Sequence, residues 1–156
     1  MRRTCQSERV NEPILASSCA RAATAEEARY RIDRPIAGRS ARIIALDDAA
    51  AEIVLRVAEL PWGASRFFAR PGDFDPEREL EDADVAIMVG TADADARVAR
   101  EIARACAERG IMAAGLVLGR RLEVSEAVAA LRPYARNLMA TEDEDDVAAV
   151  LTALRA

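Results

Sequence analysis

From Ala41 onward, short apolar runs alternate with stretches whose apolar residues recur every three or four positions. That alternation constrains the fold more than any other feature of the chain. The run Arg42-Ile43-Ile44-Ala45-Leu46 reads as a buried strand. Behind it Ile53, Val54, Val57 and Leu60 form the stripe of an amphipathic helix. Asp48 is placed to cap that helix, and Pro61 and Gly63 to stop it. Further strands are expected over 65–69, 84–89, 111–118 and 137–140. A short helix is expected after Pro76. Longer ones carry Val98, Ile102, Ala105 and Cys106, then Val128 and Leu131 behind Ser125 as cap, then Val147, Val150, Leu151 and Leu154. Strands that are apolar on both faces need helices on both faces. The expected fold is therefore α/β: a single doubly wound, mostly parallel five-stranded sheet, Rossmann-like or flavodoxin-like, in a three-layer domain over 39–156. Residues 1–38 lack a clear period and read as an N-terminal tail and arm. Within them Thr24 and Glu27 make a capping-box pattern for a short helix over 22–30.

The chain's chemistry is narrowed by what it lacks. All 22 basic residues are Arg, with no Lys and no His among the 156. A Lys Schiff base, a Walker lysine, a His general base and a Ser-His-Asp or Cys-His pair are all excluded. Cys5, Cys19 and Cys106 match no zinc or iron–sulfur spacing. Cys106 falls on a helical stripe and reads as a small buried apolar residue. The odd cysteine count, with no signal-peptide pattern, points to a reducing cytoplasm. No apolar run is long enough to span a membrane. A net charge of -5 argues against nucleic acid as the main partner.

Ligands of doubly wound folds sit beyond the carboxyl ends of the strands. That edge of this sheet is acidic. Asp47 and Asp48 follow the first strand, and Asp93 and Asp95 follow the third. A run of five carboxylates over 142–146 follows the fifth. Three readings compete: Mg2+ held by Asp47, Asp48 and Asp93, helix capping, and a surface for a basic protein or arm. Gly90 and Thr91 could contact a phosphate at the start of the next helix. No GxGxxG and no GxxxxGK[ST] occurs, and Asp47-Asp48 stands where a Rossmann glycine loop would be, which argues against a usual NAD or FAD enzyme.

Two resemblances rest on these residues. The acidic pair Asp47-Asp48 resembles that of a response-regulator receiver domain. The receiver's phosphorylated Asp and its Lys have no counterpart at Val89, Gly90 or Thr141, so receiver-like topology is implied without phosphotransfer. The second covers 84–141. Asp84-Val85-Ala86-Ile87-Met88-Val89, Ala99-Arg100-Glu101-Ile102-Ala103, Gly110-Ile111, Ala114-Gly115-Leu116-Val117 and the stretch 131–139 resemble the nucleotide-binding half of the tubulin and bacterial cell-division GTPase family. That resemblance implies phosphate-loop positions at Gly90 and Thr91. The family's early glycine-rich loop and its second, catalytic domain are absent.

The leading expectation is a non-catalytic binding or regulatory subunit that assembles as a homo-oligomer or with a protein partner. Trp62, Phe67, Phe68 and Tyr134 are candidate anchors. The alternative is a Mg2+-dependent enzyme that binds a nucleotide or another small phosphorylated ligand in the acidic cleft.

Overall fold

The computed structural model describes residues 38–154 and Ala156. The expected arm and its short helix over 22–30 lie outside the described residues. Five strands alternate with helices along the chain: β1 (Ala41–Ala45), α1 (Asp48–Ala58), β2 (Arg66–Phe68), a 3-10 turn (Pro71–Asp73), α2 (Pro76–Glu79), β3 (Val85–Gly90), α3 (Ala96–Glu108), β4 (Met112–Leu118), α4 (Ser125–Leu131), β5 (Asn137–Thr141) and α5 (Asp145–Leu154). All pairings are parallel and the strand order is β2-β1-β3-β4-β5. This is one of the two common doubly wound orders, the flavodoxin-like one.

Strand alternation divides the core in two. Ile44, Ala86, Met88, Ala113 and Val117 face α3 and α4. Ile43, Val85, Ile87, Val89, Ala114 and Leu116 face α1 and α5. The three central strands are therefore apolar on both sides, as a sheet sandwiched by helices requires. Cys106 sits fully buried on the inner face of α3. Among the described residues no helix is long and apolar enough to cross a membrane.

Three local expectations are corrected. α1 stops at Ala58, so Leu60 falls beyond the helical stripe and is 49% exposed. The Trp62 indole N–H donates to the Val57 carbonyl at 2.6 Å, a second bond to an oxygen that also accepts from the Leu60 N–H at 3.1 Å. The cap of α1 is Asp47, whose backbone is extended, and Asp48 is the first helical residue. Ser125 likewise begins α4 without capping it; its hydroxyl donates back to the Leu122 carbonyl at 3.0 Å. Of the aromatic anchors, Phe68 is buried and packs edge-on against Phe74. Trp62, Phe67 and Tyr134 are partly buried against the core.

At the amino end of the sheet a buried ion cluster joins β1, β2 and α2. Glu79 is fully buried, and Arg42 on β1 is nearly so. The Arg42 Nε–H donates to the Glu79 carbonyl oxygen at 2.6 Å. Arg78 donates to Glu79 Oε1 at 2.8 Å. Arg66 Nη1 lies 2.6 Å from Oε2, an ionic contact whose angle falls outside hydrogen-bond geometry. Burial lowers the Arg42 pKa, and the Glu79 carboxylate opposes that effect. Removing one member of such a buried pair costs about 3–5 kcal/mol, because its partner stays charged and unmatched.

Burial also pushes the Cys106 thiol up from its ordinary 9.0 to about 11. The neutral thiol is thus favoured in the fold. The stability this contributes is complete below the unfolded value and is lost as pH rises from about 9 towards 11. In native protein at pH 8, Cys106 should resist alkylation by iodoacetamide and react only once denaturant opens the core. Peptide mapping by mass spectrometry reads this directly, and rapid native labelling of Cys106 would contradict it.

Candidate functional site

The chain leaves β1 for β2 on one side, then crosses back to β3 on the other. The carboxyl ends of β1 and β3 therefore flank the topological switch point, where ligands of such folds bind. The sequence places Asp47 and Asp48 at one side of this crevice and Gly90 and Thr91 at the other.

One carboxylate bridges the crevice. Asp47 Oδ1 accepts from the Ala50 N–H at 2.8 Å, which caps α1. The same oxygen accepts from the Thr91 hydroxyl at 3.1 Å. Asp47 Oδ2 accepts from the Thr91 N–H at 2.7 Å. The partners stand 44 residues apart in sequence. Bonds to an ionised acceptor are roughly twice as strong as neutral ones. The ladder extends in the same direction, with Leu46 N–H donating to the Val89 carbonyl at 2.8 Å.

Gly90 is required by packing at this point. A Cβ there would lie 2.6 Å from the Ala94 Cβ and 3.6 Å from Asp47 Oδ2. The loop after β3 thus lies directly on the strand end, and the missing side chain lets it close.

The structure brings Asp47, Asp48 and Asp93 together around one shallow depression of about 310 Å3, lined also by Leu46 and Ala49. Asp48 and Asp93 are exposed, while both Asp47 oxygens are occupied by internal donors. Among the described residues no group of three or more His, Cys, Asp or Glu is placed to hold a metal ion. As they stand, the donors at this depression do not fit a Mg2+ ion, which demands near-ideal octahedral geometry. Both helix starts beside the crevice already carry a carboxylate cap. Asp95 caps α3 by accepting from the Arg97 N–H at 2.8 Å, and that bond, with the Arg97 guanidinium, holds Asp95 below its ordinary carboxylate value.

The acidic run after β5 is bonded within itself. The Thr141 hydroxyl pairs with the Asp146 carboxylate. Asp143 accepts from the Asp145 N–H at 2.9 Å, and Glu144 meets Arg56 of α1 at 2.6 Å. Asp47 and Asp95 at the crevice, and Asp143, Glu144 and Asp146 of this run, thus serve as caps and ties.

A different feature lies on the rim of the sheet. Among the described residues β5 is bonded to β4 alone, so its outer side is open there. Met139, at its centre, is 51% exposed. Beside it runs a groove of about 670 Å3, lined by Leu116, Met139, Val150 and Leu154, with Arg132 and Arg136 at one end. Sequence reasoning placed Met139 on the fifth strand but did not single it out. Its signal was present: the last strand of a doubly wound chain lies at a sheet edge, and residues 137–141 carry no charge or Pro to protect one.

No family model matches the chain, and no curated protein matches it. Among solved structures it is similar to a de novo designed PLOOP2X3_50 fold protein determined by solution NMR. That similarity has a TM-score of 0.47 and 15% identity, over 76% of this chain and 91% of that chain. A likeness this distant carries no argument about family or function. The strand order, too, is common to many α/β domains and singles out neither the receiver nor the tubulin-type GTPase resemblance.

Asp47→Ala should destabilise the fold by about 2–4 kcal/mol, through loss of the cap and of the two bonds to Thr91. Gly90→Ala should cost about 1–3 kcal/mol by overpacking against Ala94. Urea unfolding followed by circular dichroism measures both. Wild-type stability in Asp47→Ala would show that the bridge contributes nothing.

Proposed function

We propose that this chain is a non-catalytic α/β binding or regulatory subunit, and that it meets a protein partner through the β5 edge. The single observation that carries this reading is the contrast between the switch point and the β5 edge. At the switch point Asp47 and Thr91 are tied to one another. At β5 an open backbone edge lies beside an exposed methionine and an apolar groove. Methionine suits such a surface because its flexible thioether adapts to a partner. The absence of Lys and His from the whole chain supports the non-catalytic part of the reading.

The rival reading is a Mg2+-dependent binder of a nucleotide or another phosphorylated ligand. Its support is that Asp47, Asp48 and Asp93 share one depression beside Gly90 and Thr91. It requires Asp47 to release Thr91 before either could turn to a ligand.

A photo-crosslinking residue at position 139, carried by the full chain in its native cell, separates the two. The binding reading expects a protein cross-link from position 139 and none from position 101 on the exposed face of α3. No cross-link at position 139, together with Mg2+-dependent retention of a nucleoside triphosphate by the purified protein, would transfer the assignment to the rival.

A further inference from the structure

The two edges of the sheet are built differently. β2 is three residues long, lies between Gly63 and Pro71, and carries Arg66, which is held to Glu79 and lies over the Phe68 ring. Short length, charge and a neighbouring proline are the usual means of blunting an edge. β5 is Asn137-Leu138-Met139-Ala140-Thr141 and has none of them within the strand.

The open side of β5 also has a defined polarity. The Thr141 carbonyl turns inward, accepting from the Gly119 N–H of the β4 end at 2.9 Å. Backbone groups of successive strand residues point to opposite sides. Met139 therefore faces β4, and Leu138 and Ala140 turn their N–H and C=O groups outward. The Met139 side chain lies on the same face as its register partner Leu116, the face covered by α5. The charges at the two strand ends are opposite. Arg132 and Arg136 stand exposed before the strand, and the acidic run beginning at Glu142 stands exposed after it.

We infer that β5 pairs antiparallel with β5 of a second copy of this chain, about a two-fold axis through Met139. This rests on the binding-subunit reading and names its partner. An axis there sets Leu138 against Ala140 of the second copy on both sides. These are the residues whose backbone groups face outward, so each such pair exchanges N–H and C=O bonds. The two Met139 residues then occupy a non-hydrogen-bonded position, with Cα atoms about 4.5 Å apart and side chains in close contact. One residue beyond each strand end, Arg136 falls opposite Glu142 of the second copy, twice by symmetry. Opposite charges directly across a ladder stabilise it, and like charges destabilise it. A parallel pairing would instead set Arg beside Arg and carboxylate beside carboxylate. The edge is thus self-complementary in backbone, apolar centre and charge under a single two-fold, as an isologous interface must be.

The test is sedimentation equilibrium of the full chain and its charge variants at low ionic strength, where surface pairs are least screened. Wild type should be a dimer. Arg136→Glu and Glu142→Arg should each weaken self-association by about tenfold or more, because each places like charges together at both symmetric positions. An equimolar mixture of the two variants should recover the wild-type affinity as a heterodimer, which also shows that both variants fold. Ala140→Pro, which removes an outward N–H that β4 does not use, should leave a folded monomer. A wild-type chain that stays monomeric at every concentration overturns the self-pairing, as does a dimer that neither the charge swaps nor Ala140→Pro weakens. In either case a cross-link from position 139 to a different protein leaves the binding-subunit reading standing, and no cross-link at all brings that reading down as well.

Discussion

The carboxylate of Asp47 holds together the part of this fold that is usually open. It caps α1, and it takes both the N–H and the hydroxyl of Thr91 from across the sheet. Three elements then have one fixed arrangement: the end of β1, the start of α1 and the end of β3. Gly90 completes it, since the absence of a Cβ lets Ala94 of the next loop settle against the strand end. In doubly wound folds that use this crevice, backbone N–H groups at the helix start are left for a ligand. Here the Asp47 carboxylate takes the ligand's place on such donors, and its charge would repel a phosphate.

The opposite end of the sheet is tied with equal care. Glu79 and Arg42 are buried charges, and they bind α2 and β2 to β1. With helices on both faces, the sheet's backbone is accessible only at its two edges among the described residues. β2 is short and screened by Arg66, so β5 remains. The role proposed for the β5 edge rests on its open outer side among the described residues and on the exposed Met139 at its centre.

Much of this architecture was legible in the residues. The apolar runs located all five strands to within a residue or two of their ends; for β1, β3 and β4 the reason is burial on both faces, which leaves a continuous signal. Helix stripes located α1, α3 and α5, because each buries one face against the sheet. The misreadings lie at helix termini. Asp47 and Asp48 are chemically identical caps, and only the extended backbone at Asp47 decides between them. Leu60 has the right spacing for the α1 stripe but falls after the helix has ended. Ser125 is a favoured cap residue, yet the turn ahead of it makes it the first residue of α4. The candidate site was legible as a list of residues and not as a geometry. Sequence puts Asp47, Asp48, Asp93, Gly90 and Thr91 at strand ends, but nothing in it says that Asp47 and Thr91 bond to each other across 44 residues. Nor does periodicity distinguish an edge strand from a central one, and the Met139 surface depends on that distinction.

Residue-resolved hydrogen–deuterium exchange by NMR, run over a series of protein concentrations, tests the account most directly. It predicts a slowly exchanging Thr91 amide at every concentration, because its bond to Asp47 lies within the fold. It predicts that the Leu138 and Ala140 amides become protected as concentration rises, because their partners come from another molecule. A Thr91 amide that exchanges as fast as an open loop, or Leu138 and Ala140 amides that stay fast at all concentrations, would contradict it.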